Sequence, residues 1–307
     1  EAMHPLARGF DEFHGFLLGS RTYFSIPENT KQPLRALMHN REIIPEEDNL
    51  YLTDWMAEEA IDFIKKQDED PFFLYVAFNA VHTPMHATPE DLSKFPEIDN
   101  KKRKKLAGMT LALDRAVGNI LDSVHDEGLD EKTIIFFLND NGGATINASD
   151  NGPLRGMKGS KWEGGVRVPF VVSWKNHFTT QRYNSPVSAL DVAATAIKNA
   201  GGEVGEDLDG VDLSPYLDET VWSKLQPHLS LYWRRHKAAA VREGDWKLIR
   251  IEGKPAMLFN IEEDLGETTN LAEKHPTKVQ HMLELLAVWE SEMVDPLWVA
   301  DGKWQEN

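Results

Sequence analysis

Asn139-Asp140-Asn141-Gly142-Gly143 closes the apolar run Ile134-Ile135-Phe136-Phe137-Leu138. It is followed by Leu154-Arg155-Gly156-Met157-Lys158-Gly159 and then by Glu163-Gly164-Gly165-Val166-Arg167-Val168-Pro169. A short apolar run bounded by glycine reads as a buried strand. In open α/β sheets, ligand sites gather at the carboxyl ends of strands. Asp140 and Asn141 stand where such an end falls and offer hard oxygen donors, which favour Ca²⁺ or Mg²⁺ over zinc. A hairpin turn is the alternative reading of Asp-Asn-Gly-Gly. The glycine-spaced segment that follows carries four cations, Arg155, Lys158, Lys161 and Arg167. Glycines let backbone approach an anion and Lys158 supplies a point charge. The spacing does not fit a Walker loop in any register. A metal site beside an anion site is what hydrolysis of a sulfate or phosphate ester requires.

Working outward, the order of elements is α/β. A helix is expected over 53–66, then an apolar strand over 72–78, buried on both sides. The clearest helix carries Leu106, Met109, Leu113, Val117, Ile120, Leu121 and Val124 at helical spacing, with Gly128 as its stop. It feeds the strand ending at Leu138. A third strand follows Pro169, and a helix runs from about 187 to 200, with Ser185 as N-cap and Pro186 at its first position. This predicts a mostly parallel central sheet flanked by helices. From about residue 226 the pattern changes to short strand-like runs over 229–233, 238–242 and 246–251, with Glu243-Gly244-Asp245 as a hairpin turn. A helix over 277–293 ends the chain. The expected domains are therefore 1–225, α/β, and 226–307, a small antiparallel sheet with one helix.

His82 ends the 72–78 run and so stands at the same expected sheet edge. There an imidazole can bind an anionic oxygen or protonate a leaving alcohol. His86 follows at a zinc-pair spacing, but Pro84 between them rules out the helix such a pair needs. The tryptophans read either as core or as sugar-stacking surfaces.

Composition narrows the partners. The chain has 307 residues, 41% hydrophobic and 27% charged, which is a globular balance large enough for about two domains. Its net charge of −17 disfavours nucleic acid and anionic membrane, so an anionic substrate needs a local cationic pocket. The one basic cluster, Lys101-Lys102-Arg103-Lys104-Lys105, reads as a solvated loop leading into a helix. No apolar run approaches the roughly 18 residues of a membrane span. Zero cysteines exclude disulfides and thiolate metal sites.

These motifs, in order and over nearly the whole chain, resemble the formylglycine-dependent sulfatases of the alkaline phosphatase superfamily. His4 to Phe16 is similar to the segment that follows the family's Gly-Lys-Trp-His-Leu-Gly motif. Residues 79–84 resemble its Asn-Ala-Pro-His-x-Pro element, with Val81 replacing proline. Residues 138–143 resemble its Ser-Asp-Asn-Gly-Gly strand end, with Asn139 replacing serine, and 154–169 resemble its Leu-Arg-Gly-x-Lys…Glu-Gly-Gly-x-Arg-x-Pro signature. Gly244-Asp245-Trp246-Lys247-Leu248 and 264–271 are similar to C-terminal subdomain motifs.

The resemblance implies Ca²⁺ on Asp140 and Asn141, with Mg²⁺ as the variant. It also implies sulfate oxygens held by Lys158 and His82, and His82 as proton donor to the leaving alcohol. The family's nucleophile motif, Cys/Ser-x-Pro-x-Arg, does not occur in these residues, nor does its early Asp-Asp pair. The formylglycine, Cys- or Ser-derived, is therefore expected upstream, on an N-terminal segment missing from this chain, and the 307 residues alone are expected to be inactive. Arg21, His86, Arg155, Trp233, Arg234 and His236 are candidates for the leaving-group pocket. A sulfated carbohydrate substrate and a periplasmic or secreted location follow by family analogy. The alternatives are a phosphate or phosphonate monoester hydrolase of the same superfamily and a non-catalytic sulfated-glycan-binding pseudoenzyme.

Overall fold

The computed structural model describes residues 2–27, 32–67, 70–217 and 226–294. Its chain forms two units, one of residues 1–130 with 146–149, the other of 131–145 with 150–307. The boundary expected at 225/226 lies beside 218–225, outside the described residues.

In the first unit, β1 (His14–Gly15), β2 (Met38–His39) and β3 (Glu42–Ile43) form a short antiparallel meander. Helix α1 (Leu52–Lys65) buries Leu52, Ala57, Ala60 and Ile64, one apolar stripe at helical spacing. It packs on a long helix beyond the short α2 (Pro89–Ser93). That long helix, α3, runs Lys101–Asp126 and buries Leu106, Met109, Ala112 and Ala116. The basic cluster is not a loop: it forms the first turns of α3. Asn100 Oδ1 accepts the Lys102 and Arg103 amides, both at 3.0 Å, and so caps a helix whose opening charges oppose its dipole. At the other end Gly128 takes φ +68°, and the Leu129 amide returns to the Val124 carbonyl at 2.9 Å, a Schellman stop. Tyr23, Leu37, Leu50, Tyr51, Leu52, Ala87, Met109 and Ala112 form the core.

The run 72–78 departs from expectation. It joins no sheet among the described residues, and Phe73 and Tyr75 are 58% and 69% exposed. Apolar composition favours a strand, but only a hydrogen-bonded neighbour makes one.

In the second unit, β4 (Ile135–Leu138) pairs with β5 (Phe170–Ser173), which starts just after Pro169 as expected. The pairing is antiparallel, not parallel. The intervening chain contains only the four-residue α4 (Glu163–Val166) and one turn of 3₁₀ helix, and lacks the crossover helix a parallel pair usually uses. Helix α5 (Asp191–Asn199) begins later than expected and is not capped by Ser185. The fully buried Asp191 organises its start, accepting the Ser188 amide at 2.7 Å and the Val211 amide at 3.0 Å.

The C-terminal elements follow the sequence reading. Strands β6 (Ser230–Arg235), β7 (Ala238–Glu243), β8 (Trp246–Ile251) and β9 (Met257–Asn260) form one antiparallel meander. Helix α6 (Pro276–Glu292) covers one face, where Ala239, Val241, Leu248 and Leu258 meet Met282 and Leu286. The opposite face carries Ala240, Ile249 and Phe259 against Trp162 and Ile261. Period-two alternation thus gives each strand two apolar faces. Among the described residues, no helix is long and apolar enough to cross a membrane.

Candidate functional site

The strand end and the glycine loop meet backbone to backbone. Beyond β4, the Gly142 amide donates to the Gly165 carbonyl at 3.2 Å, and the Lys158 amide donates to the Gly143 carbonyl at 2.9 Å. Asn151 staples the junction: its Oδ1 accepts the Gly143 amide, and its Nδ2 donates to the carbonyls of Gly143 and Gly156. Side chains cannot enter this contact. A Cβ on Gly142 would lie 1.8 Å from the Gly164 carbonyl oxygen, and one on Gly164 would lie 2.4 Å from that of Gly156. Gly142, Gly164 and Gly165 thus permit the close approach that sets Lys158 beside the strand end.

Asn141 and Lys158 line a concavity of about 460 Å³ with Gly159, Ser160, Lys161 and Gly165 on one side. Tyr232, Trp233, Arg234, Arg235 and Trp289 line the other. Four of the lining residues are cations in a chain of net charge −17. Tyr232 stacks on Trp289 with ring centroids 5.2 Å apart and planes at 8°, so an aromatic wall stands beside the cations. Asp140 is exposed, and the Asn141 carboxamide nitrogen donates to its Oδ2, which leaves Asn141 Oδ1 as an oxygen donor. One carboxylate and one carboxamide oxygen suit Ca²⁺ chemically, but they are two donors where that ion takes six to eight. The residues fit the ion as part of a ligand set.

The loop behind this concavity is held by buried charge. Glu163 is 1% exposed and Lys247 and Glu267 are fully buried. Lys247 Nζ lies 2.8 Å from Glu163 Oε1 and 3.0 Å from Glu267 Oε1; Glu163 Oε2 is 3.3 Å from Arg242 and 3.6 Å from Arg167. Burial alone would raise the Glu163 carboxyl, but Lys247, Arg242 and Arg167 together hold it below the ordinary carboxylate value. For Glu267 burial wins over Lys247 and raises it.

Arg155, expected in the substrate pocket, is placed elsewhere. Its guanidinium lies 3.6 Å over the Trp162 ring and donates to the Glu267 carbonyl at 2.7 Å. Arg21 is also corrected: it is fully buried in the first unit and paired with Glu46 at 2.7 Å, so it braces a loop and cannot reach a ligand. His236 sits at the β6–β7 turn with φ +49° and lines a different surface hollow, with Lys237, Arg250 and Lys254.

His82 and His86 belong to the first unit. The turn bearing His82 is fixed by the Tyr23 hydroxyl, which hydrogen-bonds the Asn79 and His82 carbonyls at 2.5 and 2.9 Å. His82 is exposed, and its Nδ1 faces the Thr83 carbonyl at 2.8 Å, which puts the ring proton on Nδ1. His86 stacks on Phe24 and meets Thr22 Oγ1 at 3.1 Å; burial lowers its pKa. Sequence reasoning missed Tyr232 and Arg235 as lining residues, although both lie in the run that holds Trp233 and Arg234.

Comparison with known proteins identifies the family. The sulfatase family model matches residues 2–202, and the chain belongs to the sulfatase family. Arylsulfatase J of Mus musculus is 30% identical over 339 residues, covering 92% of this chain and 56% of that protein. N-acetylgalactosamine-6-sulfatase of Canis lupus familiaris is 30% identical over 263 residues, covering 80% and 48%. The chain thus spans about half the length of the curated relatives it matches. A solved structure, Ps i-CgsB in complex with k-i-k-neocarrahexaose, superposes with a TM-score of 0.90 at 35% identity, covering 98% of this chain and 71% of that one.

Proposed function

We propose that the protein hydrolyses a sulfate ester on a carbohydrate, giving the alcohol and inorganic sulfate. The observation that carries this is the concavity lined by Lys158, Lys161, Arg234 and Arg235 together with Asn141 and an aromatic wall; Lys161 also donates to the Gly159 carbonyl and Arg234 to that of Val294. Cations meet sulfate oxygens and aromatic faces meet sugar rings. The neocarrahexaose bound by the similar structure, and a relative named for N-acetylgalactosamine 6-sulfate, support a sulfated oligosaccharide as the substrate class.

In this reading Lys158 holds oxygens of the transferred group, and Trp233 and Arg234 hold the sugar. His82, protonated at Nε2 while Nδ1–H stays on the Thr83 carbonyl, delivers a proton to the departing alcohol oxygen. Asp140 and Asn141 would contribute to a Ca²⁺ site, and the ion would supply positive charge to the sulfate oxygens. Family likeness also supports a formylglycine nucleophile outside these 307 residues, a boundary near 225/226, and a periplasmic or secreted location.

Calorimetric titration of the chain with neocarrahexaose tests the reading. Binding that weakens in Lys158→Ala supports it, and absence of binding refutes the glycan site. On the whole protein, faster turnover of phosphate than of sulfate monoesters would move the assignment to a phosphomonoester hydrolase. Retained glycan binding without any turnover would make it a binding protein.

A further inference from the structure

Glu12, His14 and His39 are used by nothing above, and they lie wholly in the first unit. The register of β1 and β2 sets His14 opposite His39, and the two rings stack with centroids 4.4 Å apart. Both imidazoles turn Nε2 to one oxygen: Glu12 Oε1 is 2.8 Å from His14 Nε2 and 3.5 Å from His39 Nε2. One donor atom from each of the three residues lies within 4.8 Å of the others.

The Asn40 carboxamide oxygen accepts the Phe13 amide at 3.0 Å, so the Asn40 atom 3.4 Å from His39 Nε2 is its nitrogen. An amide nitrogen only donates, so His39 Nε2 is the acceptor of that contact, and a bound ion would take the place of the Asn40 amide. Glu12 Oε1 lies 3.5 Å from His39 Nε2 and accepts from His14 Nε2 at 2.8 Å. His14 Nε2 is hydrogen-bonded to Glu12 Oε1 at 2.8 Å, and Glu59 Oε2 lies 2.5 Å from Nδ1, so a carboxylate stands beside each ring nitrogen. A carboxylate behind a ligating imidazole is the common outer partner of a metal-bound histidine.

We propose that Glu12, His14 and His39 bind one divalent transition-metal ion, Zn²⁺ first, with water completing a tetrahedron. Ligand atoms about 2.0–2.1 Å from tetrahedral zinc lie about 3.3 Å from one another. The two separations here, 2.8 and 3.5 Å, bracket that value. Two nitrogen donors separate this site from the oxygen-donor site of Asp140 and Asn141, which selects Ca²⁺. The ion would clamp β1 to β2.

The test is calorimetric titration of chelator-treated protein with Zn²⁺ in the presence of excess Ca²⁺, repeated for His39→Ala, Glu12→Gln and Glu59→Gln. One equivalent of Zn²⁺ should bind, with affinity falling at least about tenfold in His39→Ala and Glu12→Gln, and about 10- to 100-fold in Glu59→Gln. Co²⁺ in place of Zn²⁺ should give the visible absorption of a tetrahedral ion, lost in His39→Ala. Circular dichroism checks that each variant is folded. Absence of Zn²⁺ binding by the parent chain overturns the proposal. So does binding that His39→Ala and Glu12→Gln, both folded, leave unchanged; the three side chains are then a hydrogen-bonded cluster without a metal.

Discussion

Lys247 Nζ and Glu163 Oε1 lie 2.8 Å apart with neither residue more than 1% exposed, and this pair fastens the glycine loop to the C-terminal sheet. Lys247 projects from β8 on the face that packs against Trp162, next to Phe259 of β9. Glu163 opens α4, and its amide donates to Glu267, so both carboxylates share the one ammonium.

Removing that ammonium strands two buried carboxylates. Lys247→Met should destabilise the chain by about 3–5 kcal/mol, read from denaturant unfolding. Adding Glu267→Gln should recover part of the loss. A cost near zero for Lys247→Met would mean that the cluster is hydrated.

The two carboxylates should respond to pH in opposite senses. Glu163 is held below its ordinary value, so its contribution is full above the unfolded-state pKa and is lost as pH falls through the folded one. Glu267 is raised, chiefly by burial, so its contribution is full below the ordinary value and fades as pH rises through the folded one. The destabilisation caused by Glu267→Gln, relative to the parent chain, should therefore be larger at pH 4 than at pH 7. Unfolding curves across that range check the sign.

Gly142→Ala should disrupt the junction at its tightest point, where the new methyl would meet the Gly164 carbonyl oxygen. A loss of about 1–3 kcal/mol in stability is expected, together with weaker glycan binding. Gly19→Ala, in open space, is the control and should change neither.

Lys158→Ala should weaken neocarrahexaose binding by about 1.5–3 kcal/mol, roughly 10- to 100-fold, with the thermal midpoint unchanged because the side chain is exposed. Trp233→Ala should weaken binding too, but with some loss of stability, since Trp233 also packs against the sheet face that covers Trp162.

The 307 residues by themselves should give no detectable turnover of nitrophenyl sulfate, since no Cys/Ser-x-Pro-x-Arg motif occurs among them. Measurable turnover would place the nucleophile elsewhere than the family pattern does.

Periodicity was legible where a segment's fate depends on its own residues. The stripe of α3, its Gly128 stop, the strand after Pro169 and the four-strand meander all follow from local spacing and turn chemistry. The run 72–78 and the direction of the β4–β5 pairing were not legible, because pairing is a property of neighbours. Arg21 and Arg155 misled for a related reason. An arginine that binds sulfate and one that braces a loop are the same letter, and only Glu46, or Trp162 with the Glu267 carbonyl, tells them apart.

By itself, then, the sequence determined the family, the strand that ends before Asp140-Asn141 and the glycine-spaced loop that carries Lys158, because a strand end and a close backbone approach need particular residue types at fixed local spacing. Only the tertiary structure decided that Lys247 and Glu267 lock Glu163, that Arg234 and Trp233 join Lys158 around one concavity, and that His14 faces His39. Those relations join residues dozens of positions apart, and their energy comes from burial and from distances that exist only once the chain has folded.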